Sequence, residues 1–165
     1  MCPSYWLAGS QAQRGEDHAS YKYQFSPPPS THGADVAGYF GPTPAYLSPD
    51  FELAFMQIWG NFIINNDPSV SNLVANGNST GNSTAGNAAA NWPQFSFAQP
   101  NMLNLNTTGG TATRVNSTGS VDGYYIANEE PGLSSAFEIV DAYTWEGGRG
   151  VRCDFWLGMG AVVPG

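Results

Sequence analysis

Two histidines stand in the 165-residue sequence, and one of them has a setting suited to chemistry. His32 follows an alternating stretch at residues 20–26 and three consecutive prolines, Pro27, Pro28 and Pro29, and it precedes Gly33. An imidazole works as a general base only when it is held within hydrogen-bond reach of a nucleophile. A loop stiffened by prolines, whose φ is fixed near −65°, and anchored at a strand end can hold one. The plain alternative is a surface histidine making ordinary hydrogen bonds. Gly33 is expected to let another backbone approach closely. His18 lies among Glu16, Asp17 and Ser20 in a polar turn and reads as solvated.

Other chemistries find little support. Two isolated histidines, with no Glu or Cys at ligand spacing, do not make a metal site, and no cofactor is called for. No G-x-S-x-G elbow is present: Ser83 lies between Gly81 and Gly86 at the wrong spacing and in a polar stretch. No Gly-rich phosphate loop opens a helix. If His32 belongs to a catalytic triad, this chain carries at most one third of it.

Cys2 and Cys153 lie near opposite ends of the sequence. Their spacing leaves two readings open, a bridge closing nearly the whole chain into one loop or two unpaired thiols. Four N-x-Ser/Thr acceptors, Asn78, Asn82, Asn106 and Asn116, together with a single lysine, favour a secreted glycoprotein. Residues 1–10 lack the basic and apolar regions of a signal peptide. The two facts are reconciled if the natural N-terminus lies further upstream, so a fragment or truncated gene product is expected.

Composition sets the outer limits. Thirteen acidic against five basic residues give a net charge of −8, which disfavours nucleic acid or an anionic membrane as partner. No apolar run approaches the ~20 residues of a transmembrane helix. With 13% aromatics and 11% charged residues the chain is not of disordered composition. Its length suits one domain with one core.

The elements that must position His32 follow from periodicity. Residues 3–14 read as a short helix. Residues 20–26 read as a strand with Tyr21, Tyr23 and Phe25 on one face. The clearest element spans residues 48–66. Ser48 caps it, Pro49 opens it, and Asp50 and Glu52 complement its dipole. Phe51, Ala54, Phe55, Ile58, Trp59, Phe62 and Ile63 form its apolar stripe. Residues 69–90 collapse into Asn, Ser, Gly, Ala and Thr, and read as a flexible polar insert with too little apolar surface to pack. Residues 102–106 and 111–115, split by Gly109-Gly110, suggest a short hairpin. Residues 133–145 suggest a helix stopped by Gly147-Gly148, and a short last segment runs over residues 151–157. So little sheet cannot cover such wide helical faces, and the chain reads as one end of a larger architecture.

Several motifs in order carry a family resemblance. Tyr21-Lys22-Tyr23-Gln24-Phe25-Ser26 is followed by Thr31-His32-Gly33-Ala34-Asp35-Val36 and Tyr39-Phe40-Gly41-Pro42. Phe55-Met56-Gln57-Ile58-Trp59-Gly60-Asn61-Phe62, Asn91-Trp92-Pro93, Met102-Leu103-Asn104-Leu105-Asn106 and Arg152-Cys153-Asp154-Phe155-Trp156 come later. Over nearly the whole chain apart from residues 69–90, this resembles the C-terminal part of type-B carboxylesterases and lipases. These are the cholinesterase-like α/β-hydrolases, and the likeness is greatest to secreted fungal members. The resemblance implies an α/β fold class, here the C-terminal portion of an α/β-hydrolase fold, incomplete on its own. It implies that His32 is the general base, that Cys2 and Cys153 form a disulfide, and that Asp35 either braces the histidine loop or caps the helical turn at residues 36–40. It also implies that the nucleophilic serine, the acidic triad member and the oxyanion loop lie upstream. The expected function is therefore the histidine-bearing region of a carboxylic ester hydrolase, extracellular and inactive alone. Its partners would be a small-molecule or lipid ester and the N-terminal part of the same domain. The alternative is a non-catalytic secreted glycoprotein that uses a partial hydrolase fold for binding.

Overall fold

Ser48, Pro49 and the aromatic run after them make the helix on which much of the structure is built. The Ser48 hydroxyl accepts the Phe51 N–H at 3.1 Å, capping α3 (Pro49–Asn65), and Asn66 ends it in the left-handed conformation at φ +56°. Phe51, Ala54, Phe55 and Ile58 are buried, as their spacing predicts. Ile63 departs from the expected stripe and is 76% exposed, because the helical period places it beside exposed Met56 and away from Phe51.

The computed structural model describes residues 2–15, 18–77, 85–116, 123–160 and 162. In order, the elements are α1 (Cys2–Ala12), β1 (Tyr23–Phe25), α2 (Val36–Phe40), α3, α4 (Asn72–Asn76), β2 (Asn101–Asn116), β3 (Tyr124–Asp141) and α5 (Trp145–Met159), with a 3-10 turn at Ala88–Asn91. Helices thus mix with a three-stranded sheet of order β1-β2-β3. β1 runs parallel to β2, with Tyr23 opposite Leu103 and Phe25 opposite Leu105. Asn104 meets Glu138 while Gly109 faces Gly132, so β2 and β3 run in opposite directions.

The chain divides into two compact units. The larger comprises Tyr23–Trp92 and Leu103–Glu138. In it, Phe25 of β1 packs edge-on against Phe51 at 5.9 Å and tilted against Phe55 at 5.7 Å, and Phe137 of β3 meets Phe51 at 5.3 Å. The smaller comprises Met1–Lys22, Pro93–Met102 and Ile139–Gly165, with Tyr5, Ala8, Phe95, Met102, Ala142 and Cys153 as its core. Here Cys2 of α1 is bonded to Cys153 of α5, with Cα atoms 5.1 Å apart.

Four expectations need correction. Gly109-Gly110 does not turn a hairpin: β2 runs through both glycines at φ +76°. An added Cβ at Gly109 would lie 2.5 Å from the Gly132 carbonyl, so the glycines allow the two backbones to approach. Residues 133–141 form the end of β3, not a helix. Leu133 and Phe137, both buried, are four apart, a spacing that lies on one face of a helix and of a strand alike. Gly147-Gly148 does not stop a helix either. With Glu146 these glycines take positive φ inside α5, whose regular part follows them. The polar stretch 69–90 is packed at its described ends, where Val70, Ala75 and Ala89 are buried and α4 is capped by Ser71. Among the described residues no helix is long and apolar enough to cross a membrane.

The bridge joins residues 151 positions apart, so its removal frees an unusually large loop in the unfolded chain. Replacing both cysteines (Cys2→Ser with Cys153→Ser) is expected to lower the unfolding free energy by about 2–5 kcal/mol. Urea unfolding checks this, and an unchanged midpoint would contradict it.

Candidate functional site

β1 delivers the chain to the loop that carries His32. Beyond the strand the Ser26 N–H still donates to the Leu105 carbonyl at 2.8 Å, and the Ser26 hydroxyl donates to Asn104 Oδ1 at 2.6 Å. Pro27, Pro28 and Pro29 then turn the chain, and the Ser30 N–H closes the turn on the Pro27 carbonyl at 3.0 Å. Ser30 and Gly33 flank His32 with φ of +48° and +77°. Nothing lies within 4 Å of the place a Gly33 Cβ would occupy. Gly33 is therefore required for its backbone conformation and not for the close backbone approach expected from sequence.

His32 itself is exposed, and among the described residues no side chain hydrogen-bonds its ring. The loop beneath it is tied down. The Tyr46 hydroxyl donates to the Ala34 carbonyl at 2.8 Å. Asp35 accepts from Tyr39 at 2.8 Å and from Tyr23 at 3.2 Å, both on Oδ2, and the two hydroxyls lie 2.7 Å apart. Tyr39 gives its only proton to the carboxylate, so the single Tyr23 proton is shared between the nearer Tyr39 oxygen and Asp35 Oδ2. Asp35 occupies the N-cap position of α2 but makes no side-chain cap bond. Its carboxylate joins β1 to α2 across the histidine loop, in contact with two phenols and not with the imidazole.

Burial pushes the Tyr39 hydroxyl up to about 12, and the Asp35 carboxylate adds to the effect. Burial raises Tyr23 further, reinforced by its hydrogen bonds to Tyr39 and Asp35 and by the Asp35 charge. Both rings pack on α3: Tyr23 meets Phe55 at 5.8 Å and Trp59 at 6.0 Å, and Tyr39 meets Trp59 at 5.3 Å. Further along, Thr43 donates to buried Glu52 of α3, whose other oxygen faces Gly41 and has no partner among the described residues.

The remaining site residues fall apart from His32. Cys2 and Cys153 are joined in the other unit, and His18, exposed, lies there too. Asn106 is half-buried and its Oδ1 accepts the Thr107 N–H, while Asn116 is exposed at the end of β2. Asn78, Asn82 and Ser83 lie outside the described residues. No group of three or more His, Cys, Asp or Glu able to hold a metal is found among the described residues. The tyrosine pair was missed from sequence, although Asp35 and Tyr39 stand four apart in the first turn of a helix and Tyr23 was already placed on its strand.

Compared with known protein families, with curated proteins and with solved structures, the chain matches none.

The cluster sets an alkaline limit on stability. A phenol whose pKa is higher folded than unfolded keeps its proton when the unfolded chain has lost it. The stability it contributes is complete below the ordinary value of 10 and disappears as pH rises toward about 12 for Tyr39. Burial raises Tyr5, Tyr46 and Tyr143 as well, so the cluster is isolated by difference. The urea midpoint is expected to fall less steeply above about pH 10 in a Tyr23→Phe, Tyr39→Phe double variant than in the parent. Equal slopes would contradict the assignment.

Proposed function

We propose that this chain is the C-terminal region of a secreted serine carboxylesterase or lipase, and that His32 is its general base. The observation that carries the reading is the presentation of His32. An exposed imidazole stands on a loop springing from a strand end, and that loop is pinned by Tyr46 and by the Tyr23–Tyr39–Asp35 cluster. A base held this way can serve a nucleophile brought to it from another segment.

In the complete enzyme an upstream serine attacks the ester carbonyl while His32 takes its proton. His32 then protonates the leaving alcohol and activates water to release the acid. The acidic triad member and the oxyanion donors come from upstream as well, and the donors contribute most of the barrier reduction. Asp35 serves to hold the loop. Two further features favour the reading. Leu53, Met56, Ile63 and Ile64 line one exposed stripe of α3, from 45% to 80% accessible, a surface suited to burial by the rest of a domain. The exposed Asn116 acceptor and the disulfide suit an oxidising, extracellular setting.

The test is the gene. An in-frame G-x-S-x-G segment is expected upstream of Met1, and protein made from the whole coding sequence is expected to turn over short nitrophenyl esters in a fluorophosphonate-sensitive way. The 165-residue chain alone is expected to show no steady turnover. A stop codon directly before Met1, with no serine elbow in frame, would contradict the proposal and leave the binding glycoprotein.

A further inference from the structure

Ser4 and Lys22, both in the smaller unit, form a pair that the histidine chemistry does not use. Lys22 is the only lysine of the chain and is 5% exposed. Its Nζ lies 2.8 Å from Ser4 Oγ and 3.9 Å above the Tyr5 ring. Tyr5 is fixed in turn by a 2.9 Å hydrogen bond from its hydroxyl to the Ala142 carbonyl. Among the described residues no carboxylate pairs with Lys22. The groups acting on it are the Tyr5 ring from α1 and the Arg149 guanidinium from α5, itself 8% exposed and paired with Glu146. Tyr5 also feels Arg152 and Asp141.

A buried ammonium with no counter-ion among the described residues, facing a second cation, is unfavourable compared with the neutral amine. Burial first, and Arg149 second, bring Lys22 down to about 8. Nζ donates to Ser4 Oγ at 2.8 Å, and once neutral it has the lone pair to accept the Ser4 proton along the same contact. Ser4 is exposed in the first turn of α1, so an acyl donor can reach the hydroxyl while its base is covered.

We propose that Ser4 is an acyl-acceptor nucleophile, with Lys22 as the base that takes its proton, and that small activated carboxylic esters acylate the chain once at this position. In the step, Ser4 Oγ forms a bond to the carbonyl carbon and its proton passes to Nζ. The tetrahedral oxyanion collapses, the bond to the leaving oxygen breaks, and Nζ returns the proton to that oxygen. Lys22 ends neutral and Ser4 carries the acyl ester. The positive end of the α1 dipole favours the transient oxyanion.

The test treats the disulfide-intact chain with p-nitrophenyl acetate and follows acetylation by mass spectrometry after reduction and trypsin. The peptide 1–14 contains Ser4 and Ser10, which fragment ions distinguish. One acetyl group per chain, on Ser4, is expected. Its rate should rise from about pH 6 and level off near the Lys22 titration. Ser4→Ala should lose the label and keep the parent's unfolding midpoint. Lys22→Arg, which cannot give a neutral amine, should slow labelling by about 100-fold or more. Acetyl on Ser10 or on Lys22, a pH-independent rate, or full-rate labelling of Lys22→Arg would overturn the proposal. Should Lys22→Arg fail to fold, the pH profile of the parent decides. The result is separate from the His32 reading, since a missing upstream serine leaves Ser4 acetylation unaffected.

Discussion

The larger unit depends on one packing contact, that of the α3 aromatics against β1. β1 is three residues long and cannot hold a position by its ladder alone. Phe51 and Phe55, both without accessible surface, close over Phe25, and full burial of such a side chain contributes about 2–3 kcal/mol. Where β1 ends, the His32 loop begins, so the packing that fixes Phe25 also fixes the base of that loop. Gly38 of α2 belongs to the same arrangement: a Cβ there would lie 2.9 Å from the Phe55 ring.

Above that apolar base the polar contacts do a different task. Asp35, Tyr39 and Tyr23 give the loop a fixed orientation, and they do so with the phenols neutral. A carboxylate between two protonated phenols is hydrogen-bonded without the desolvation cost of a buried ion pair. With 11% of its residues charged, the chain has few groups that could form such pairs. Of the cations it buries, Arg149 pairs with Glu146, whereas Lys22 meets a hydroxyl and an aromatic face.

The sequence was most legible where one period and one cap agreed. Ser48, Pro49 and the stripe from Phe51 to Ile58 leave no competing reading, and α3 forms there; α1 and the strand around Tyr23 are found where expected, the strand shorter. Legibility failed where a spacing suited two structures. Leu133 and Phe137 fit helix and strand equally, and the long partner β2 decides for strand. Glycine pairs misled twice, because positive φ serves a kinked helix start at Gly147-Gly148 and close strands at Gly109-Gly110 as readily as a stop or a turn. At the site, the proline-stiffened loop was visible from residue types, whereas the phenol–carboxylate cluster depends on bringing Tyr23 next to α2. The burial of Lys22 had no sequence signal, since a lysine alternating with tyrosines on a strand reads as the polar face.

The central claim is that the imidazole of His32 acts on a serine contributed by an upstream segment. The most direct measurement is kcat for short-chain ester hydrolysis by the protein from the whole coding sequence, compared with its His32→Ala variant at matched folding. The account predicts a loss of about 10³-fold or more with folding preserved. A variant that turns over ester at near the parent rate would contradict it.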